Sequence, residues 1–255
     1  MQLPILFLSA GYFIYIGRAI DTVVHEHHAI QIAVSFDDEI EVLSSGSVIK
    51  SKAIIINSDE PHECRTRTNT FLLINIDPEC KIGINLRETY LSDQKVVTLP
   101  EAAVGELLDD LKPLLGSDTT PDRIFDTILQ FLRGLSDTDV KEVLDDRVAK
   151  VLKVLKEPGY ESLKIEDLSA LVHLSPSRLI HLFTTQVGIP IRKYVLWARL
   201  LAALQCIIDG CNITDAALEA GFSDTPHFNR TFKRMFGQAP SLLLKNDQII
   251  QVYVR

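Results

Sequence analysis

Ile213-Thr214-Asp215-Ala216-Ala217-Leu218-Glu219-Ala220-Gly221-Phe222-Ser223-Asp224-Thr225-Pro226-His227-Phe228-Asn229-Arg230-Thr231-Phe232 reads as a short helix, a tight turn and a capped second helix that closes at Gly237. Nearly the same statement occurs earlier as Ile165-Glu166-Asp167-Leu168-Ser169-Ala170-Leu171-Val172-His173-Leu174-Ser175-Pro176-Ser177-Arg178-Leu179-Ile180-His181-Leu182-Phe183, closing at Gly188. A shift of 49 residues places Ser175 on Asp224, Leu179 on Phe228, Phe183 on Phe232 and Gly188 on Gly237. Phase, cap residues and closing glycines agree, which marks an internal repeat rather than a chance echo. Each copy has the helix-turn-helix pattern, and two in one chain can address two nearby stretches of one DNA face.

The second helix of each copy has two faces. On the first, Leu179, Leu182, Phe183 and Val187 turn inward, while Ser177, His181 and Thr184 turn outward with Arg178 and Thr185 at the flanks. On the second, Phe228, Phe232, Met235 and Phe236 turn inward; Pro226, Arg230 and Lys233 turn outward, flanked by His227 and Arg234. The outer groups suit base edges and phosphates. Between the copies, Trp197, Leu200, Leu201, Leu204, Ile207 and Ile208 predict a long amphipathic helix from about Ile191 to Asp209. About eighteen residues at ~1.5 Å each span roughly 27 Å, close to the ~34 Å of one DNA turn.

Charge follows the same division. Residues 1–144 carry 12 Lys/Arg against 23 Asp/Glu, a balance of −11, whereas residues 145–246 carry 13 against 10, a balance of +3, within a chain of net −8. The mildly basic part suits nucleic acid better than the whole does. The first eighty-odd residues alternate short β-branched runs (Tyr12–Ile16, Ala29–Val34, Glu39–Leu43, Ala53–Ile56 and Thr70–Ile76) with turn residues, which suggests a sandwich or small barrel. After Pro100 the period becomes helical. Val104, Leu107, Leu108 and Leu111 form one stripe, and Ile124, Ile128, Leu129 and Leu132 another. This hairpin covers either the barrel or a dimer partner. A further helix, Asp145 to Lys156, carries Val148, Val151, Leu152 and Leu155 and stops at Glu157-Pro158-Gly159. The domain boundary is expected near Ser136–Asp139. That gives a domain at 1–136 with its helical hairpin at about 101–134, and a second at 144–245 with repeat units at about 163–187 and 211–236.

Cys64, Cys80, Cys206 and Cys211 show neither a C-x-x-C pair nor zinc spacing, so they are expected to be reduced thiols of a cytoplasmic protein. Met1–Gly11 is faintly like a signal peptide but lacks a basic start, and no apolar run spans a bilayer.

On the residues Ala220–Asp224, His227–Gly237, Pro240 and Tyr194…Arg199-Leu200…Ala203, the chain resembles the AraC/XylS family of transcription regulators from about Asp145 to Lys245. The resemblance implies a seven-helix DNA-binding domain. It implies Ser177 and His181 as base readers of the first unit with Ile180 adding apolar contact, and Thr225, Pro226 and Arg230 as their counterparts in the second. With the flanking Arg178, Thr184, Thr185, His227, Asn229, Lys233 and Arg234 these form the expected DNA surface. Pro226 stands where polar side chains are common in the family, which shifts base reading toward Arg230.

His25-Glu26-His27-His28 resembles the first motif of cupin barrels that precede this domain in many relatives, and His62 sits where the second motif places a histidine. In metal cupins an H-x-H pair, a glutamate and a later histidine hold the ion. Here Gln31 stands near the expected carboxylate, so His25, His27, Gln31 and His62 are expected to line an effector pocket, with no metal, cofactor or catalytic residue assigned. The expected whole is an α+β protein: a cupin-like β-barrel with a helical hairpin, then an all-α domain with two helix-turn-helix units on a long linker helix. Its expected partners are double-stranded DNA, a small-molecule effector and RNA polymerase, with pairing to a second copy left open and no membrane. The alternative is a metal-dependent cupin enzyme fused to a DNA-binding domain.

Overall fold

Runs of β-branched residues set the first third of the chain in strands, and the shift to helical spacing after Pro100 covers them. The computed structural model describes residues 4–9, 11–18, 21–66, 70–116, 119–135, 144–155, 157, 160, 163–237, 239–240 and 251–254. The expected boundary at Ser136–Asp139, the Pro158-Gly159 stop and the domain end near Lys245 lie outside the described residues. By internal contacts the chain divides into two units, residues 1–140 with 233–255, and residues 141–232.

In the first unit, β1 (Ile5–Ser9), β2 (Tyr12–Gly17), β3 (Ile30–Ser35), β4 (Ile40–Ser44), β5 (Ser47–Ser51), β6 (Ala53–Ile56), β7 (His62–Thr66) and β8 (Phe71–Ile76) precede α1 (Lys81–Tyr90), β9 (Val96–Thr98), α2 (Glu101–Leu115) and α3 (Pro121–Leu135). A last strand, β10 (Gln251–Val254), runs parallel to β1 with Ile5 opposite Gln251. The larger sheet has the order β10-β1-β2-β8-β3-β6-β9, and the smaller β5-β4-β7. One face of the larger sheet (Phe7, Ile14, Ile32, Leu72, Ile74) packs under Val104, Leu107, Leu111, Ile124, Ile128 and Leu132 of α2 and α3. The rings of Phe7 and Phe125 lie 5.4 Å apart. Its other face, with Ala33, Ile54 and Ile56, meets Ile40, Val42 and Cys64 of the smaller sheet. Because β3 and β6 are covered on both sides, every one of their residues is buried, whereas β4 alternates. The α2–α3 stripes therefore cover the sheet, which answers the choice the sequence leaves open. The faintly signal-like Met1–Gly11 stretch supplies β1.

His28 is a buried polar group of this unit held by two carboxylates. His28, 3 % exposed, has Asp59 Oδ2 at 3.4 Å from Nδ1 and Glu79 Oε1 on Nε2. Burial alone lowers its pKa, but the hydrogen bonds and charges of Asp59 and Glu79 win and raise it to about 9.

The second unit contains α4 (Asp146–Val154), α5 (Ile165–Leu171), α6 (Pro176–Val187), α7 (Ile191–Ile208), α8 (Ile213–Glu219) and the larger part of α9 (Thr225–Phe236). Val148, Val151, Leu152 and Leu155 are buried with Leu168, Leu179, Phe183 and Tyr194. On α7, Trp197, Leu200 and Leu204 are buried, while Leu201, Ile207 and Ile208 are half-buried.

Helices α5, α7 and α8 end in the same way. His173, Gly210 and Gly221 have φ of 54°, 102° and 79°. The next N–H reaches back five residues: Leu174 to Ser169 O, Cys211 to Cys206 O and Phe222 to Ala217 O, at 3.0, 2.9 and 2.9 Å. This is the Schellman closure. It corrects the single shift of 49. His173 pairs with Gly221 and Ile165 with Ile213 at a shift of 48, so Ser223 is an extra residue in the second turn and only the second helices keep the longer offset. It also corrects the cysteine expectation. Cys206 and Cys211 form a disulfide, because the closure lays the residue after Gly210 over the third-last helical position, where an apolar contact usually sits. Cys64 and Cys80 are not disulfide-bonded among the described residues.

Three outcomes follow. Gly221→Ala should cost about 1–2 kcal/mol, because an L side chain is strained at positive φ, and denaturant melts measure it. Trp197→Ala should cost roughly 3–5 kcal/mol as a large-to-small core change, read in the same melts. His28 has its folded pKa raised from the usual 6.5 to about 9, so its contribution is complete below pH 6.5 and is lost as pH rises through 9. Thermal melts from pH 6.5 to 9 should show that loss, and His28→Asn should flatten it.

Candidate nucleic-acid interface and histidine cluster

Each reading helix starts on a side-chain cap. Ser175 Oγ accepts the Arg178 N–H at 3.3 Å with Pro176 in the first turn, and Asp224 Oδ1 accepts the His227 N–H at 2.6 Å. The His227 N–H, with Ser223 and the nearby Arg230 charge, keeps the Asp224 carboxyl below its usual range despite partial desolvation. The preceding helix α8 is capped by Asn212, whose Oδ1 accepts from Thr214 and Asp215.

On α6, Leu179, Phe183 and Val187 are buried and Leu182 is half-buried. Ser177, Arg178, His181 and Thr185 are exposed, as is Ile180 at 41 %. Thr184 is only half-exposed. Thr184 Oγ1 donates to Ile180 O at 2.7 Å and Thr185 Oγ1 to His181 O at 2.9 Å, so each hydroxyl proton is spent within the helix and each offers lone pairs outward. On α9, Phe228, Phe232, Met235 and Phe236 are buried, together with Thr231, which sequence reasoning left out. Pro226, Asn229, Arg230, Lys233 and Arg234 are exposed. Thr225 and His227 are half-buried. Thr225 Oγ1 donates to Thr214 Oγ1 at 3.4 Å, and the His227 ring stands against Phe222 at 5.3 Å with Nδ1 3.2 Å from Ser223 Oγ. These two side chains are anchored to the turn, which leaves Arg230 and Asn229 as the outward polar groups of the first two turns.

In the first unit the structure brings His25, His27 and His62 together. His25 and His62 face each other in an antiparallel bridge, exchanging both main-chain hydrogen bonds at 2.9 Å. Opposite residues of such a pair share a face, as do residues two apart, so all three imidazoles converge. Their ring centres lie 4.2 Å (His25–His62), 5.3 Å (His27–His62) and 5.7 Å (His25–His27) apart. Each Nδ1–H donates to a main-chain carbonyl: His25 to Val23, His27 to Ala29 and His62 to Glu60, at 2.9, 3.0 and 2.8 Å. The proton position is assigned from these carbonyls, which can only accept. Burial, then the neighbouring imidazoles, pushes His25 down to about 4 and His62 well below 6.5; His27 is lowered chiefly by burial. The His62 Nε2, in a residue 1 % exposed, has no hydrogen-bond partner. Leaving such a group unsatisfied costs about 1–3 kcal/mol.

Sequence reasoning placed all four of His25, His27, Gln31 and His62 along a pocket. The structure divides them. A small cleft is lined by Phe13, Tyr15, Phe71, Leu73 and Phe236 with Arg18, and it is His25 and Gln31 that reach it. His27 and His62 lie outside that lining.

Residues 168–246 match the family model of a helix-turn-helix domain. The Msm operon regulatory protein of Streptococcus mutans is 29 % identical over 103 residues, 40 % of this chain and 37 % of that protein. The transcriptional activator RhrA of Rhizobium meliloti is 27 % identical over 121 residues, 46 % of this chain and 38 % of its own. The chain thus spans little more than a third of the length of these curated relatives. Among solved structures, ToxT from Vibrio cholerae O395 superposes with a TM-score of 0.56 over 92 % of this chain and 96 % of that one, at 12 % identity. An unsaturated-fatty-acid-bound ToxT from strain SCE256 gives 0.54 over 96 % and 97 %, at 11 %. At such identity the likeness is one of fold, a β-rich unit followed by a helical one. Residues 168–246 of this chain are a helix-turn-helix domain, carried on a two-domain fold similar to that of ToxT.

Proposed function

We propose that this chain is a sequence-specific, DNA-binding transcription regulator that responds to a small organic effector. The observation that carries the reading is the pair of separately capped helices, α6 and α9, whose exposed faces are polar or cationic and which an 18-residue helix joins. At ~1.5 Å per residue that helix is roughly 27 Å long, near one DNA turn, so two successive major-groove segments are within reach of a single chain. Ser177, His181 and Arg230 are then the base readers, with Ile180 placed for a thymine methyl. Arg178, Thr184, Thr185, Asn229, Lys233 and Arg234 serve the backbone. Thr225, Pro226 and His227 shape the entry of α9.

The cleft supports the effector part of the reading. Its apolar walls and the cationic Arg18 suit an amphipathic organic acid, and a ToxT structure holds an unsaturated fatty acid. RNA polymerase is the partner through which a bound regulator acts. Because both reading helices lie in one chain, the reading does not require a second copy, and no catalytic step is assigned.

Arg230→Ala should weaken the cognate site by about 1–3 kcal/mol and flatten preference at one base pair. Lys233→Ala should weaken all sequences alike and reduce the salt slope by about one. Salt-titrated binding to a panel of mutated operators separates the two, and equal weakening everywhere by both variants would remove Arg230 as a base reader.

A further inference from the structure

We propose that Cys206 and Cys211 form a reversible redox site, which exchanges with small thiols and their disulfides and so tightens or loosens the corner on which α8 and α9 are mounted. The chemistry stands on the sulfur pair alone, and its effect on DNA rests on the reading of α9 as a DNA-reading helix. The two residues are bonded across a separation of five, at the end of α7. Stabilisation by a disulfide grows with the loop it closes, so a loop this short makes a poor staple for a unit that already has its own core. Both cysteines are half-buried, within reach of a small solute. Where DNA is read, small thiols keep most cysteines reduced, and a disulfide formed there is usually transient or redox-sensing.

The surroundings suit both states. The 2.9 Å hydrogen bond from the Cys211 N–H to Cys206 O and the left-handed Gly210, with φ of 102°, are main-chain features that need no sulfur bond. They hold the two Cα atoms 5.3 Å apart, inside the range a disulfide spans, so the dithiol stays poised to close again. Glu219 Oε2 lies 3.2 Å from Cys206 Sγ. A disulfide sulfur has no proton to offer that carboxylate, whereas the Cys206 thiol donates one, so the reduced form gains a hydrogen bond. What it loses is the covalent tie to Cys211, the residue just before Asn212, whose side chain caps α8 through Thr214 and Asp215. In reduction, the thiolate of one small thiol attacks a sulfur of the pair, the Sγ–Sγ bond breaks and a mixed disulfide forms. A second small thiol resolves it and the two leave joined as a small disulfide. The two protons they gave up end on Cys206 and Cys211. Oxidation is the reverse, with the small disulfide as oxidant.

The test uses the full-length chain, with chelator present, equilibrated in glutathione buffers from fully oxidising to fully reducing. Peptide mapping after alkylation counts thiols at Cys206 and Cys211 separately from Cys64 and Cys80. The expected result is a reversible two-electron change at the pair. Amide exchange around the end of α7 and the start of α8 should be about tenfold faster in the reduced chain and unaltered across α2 and α3. DNA binding is measured at matched salt on a duplex that the oxidised chain selects from a randomised pool. Reduction should weaken it about three- to tenfold, because a loosened corner no longer presents α9 preorganised. The Cys206→Ser/Cys211→Ser double variant should bind like the reduced chain in every buffer. A pair that glutathione does not reduce in the folded chain, amide exchange unmoved by reduction, or equal affinity of the two states would overturn the proposal. If neither state selects a duplex, the regulator reading is what fails, and thiol count and amide exchange decide the redox site alone.

Discussion

Each helix-turn-helix depends on one backbone reversal. A helix that ends with a residue in the left-handed region sends the chain sharply back and satisfies its last carbonyls without a side chain. His173 and Gly221 make that reversal in the two turns, and the N–H groups of Leu174 and Phe222 close it. The next residues then arrive at Ser175 and Asp224 in position to cap α6 and α9. The buried faces of both reading helices follow from this start. Leu179 and Phe183 on one, and Phe228 and Phe232 on the other, are placed inward by helical phase alone. One turn uses glycine and the other histidine, so the second copy achieves without strain what the first achieves with it.

Much of this was legible in the sequence where a period was sustained. The stripes on α2, α3 and α4 were read correctly, as were the inner faces of α6 and α9 and the burial of Trp197, because a run of a dozen residues fixes its own phase. Short or irregular elements were not. Helix α1 contains Gly83 and Asn85, both poor helix formers, and begins on a cysteine cap. Its glycine is demanded by a neighbour: a Cβ there would lie 2.3 Å from the Asp77 carbonyl oxygen. Strand β7 begins at His62, a residue weighed for its chemistry and not for its place in a sheet. The disulfide is not legible from cysteine spacing, because helix-end geometry is what brings Cys206 and Cys211 together.

For the candidate sites, the exposed polar faces were legible, but the internal commitments of Thr184, Thr185, Thr225 and His227 were not, since each depends on a partner in the surrounding fold. The histidines show the same limit more sharply. Spacing announces that His25 and His27 share a face, but only the bridge to His62 makes them a trio, and only the carbonyls behind them decide which nitrogens look inward. Gathering three buried neutral rings around an unsatisfied atom is costly to a fold.

The pairing of β10 with β1 has a bearing on how the protein is made. Residues 141–232 form a separate unit between two parts of the first, so that unit is an insertion and the first is discontinuous in the chain. During synthesis the β1 edge emerges early and waits for residues 251–254 while the whole inserted unit is being translated. An unpaired edge strand is open to pairing with other chains. The growing chain therefore has a window in which its helical part can be finished while its sheet is not, and shielding in that interval falls to the ribosome and its chaperones.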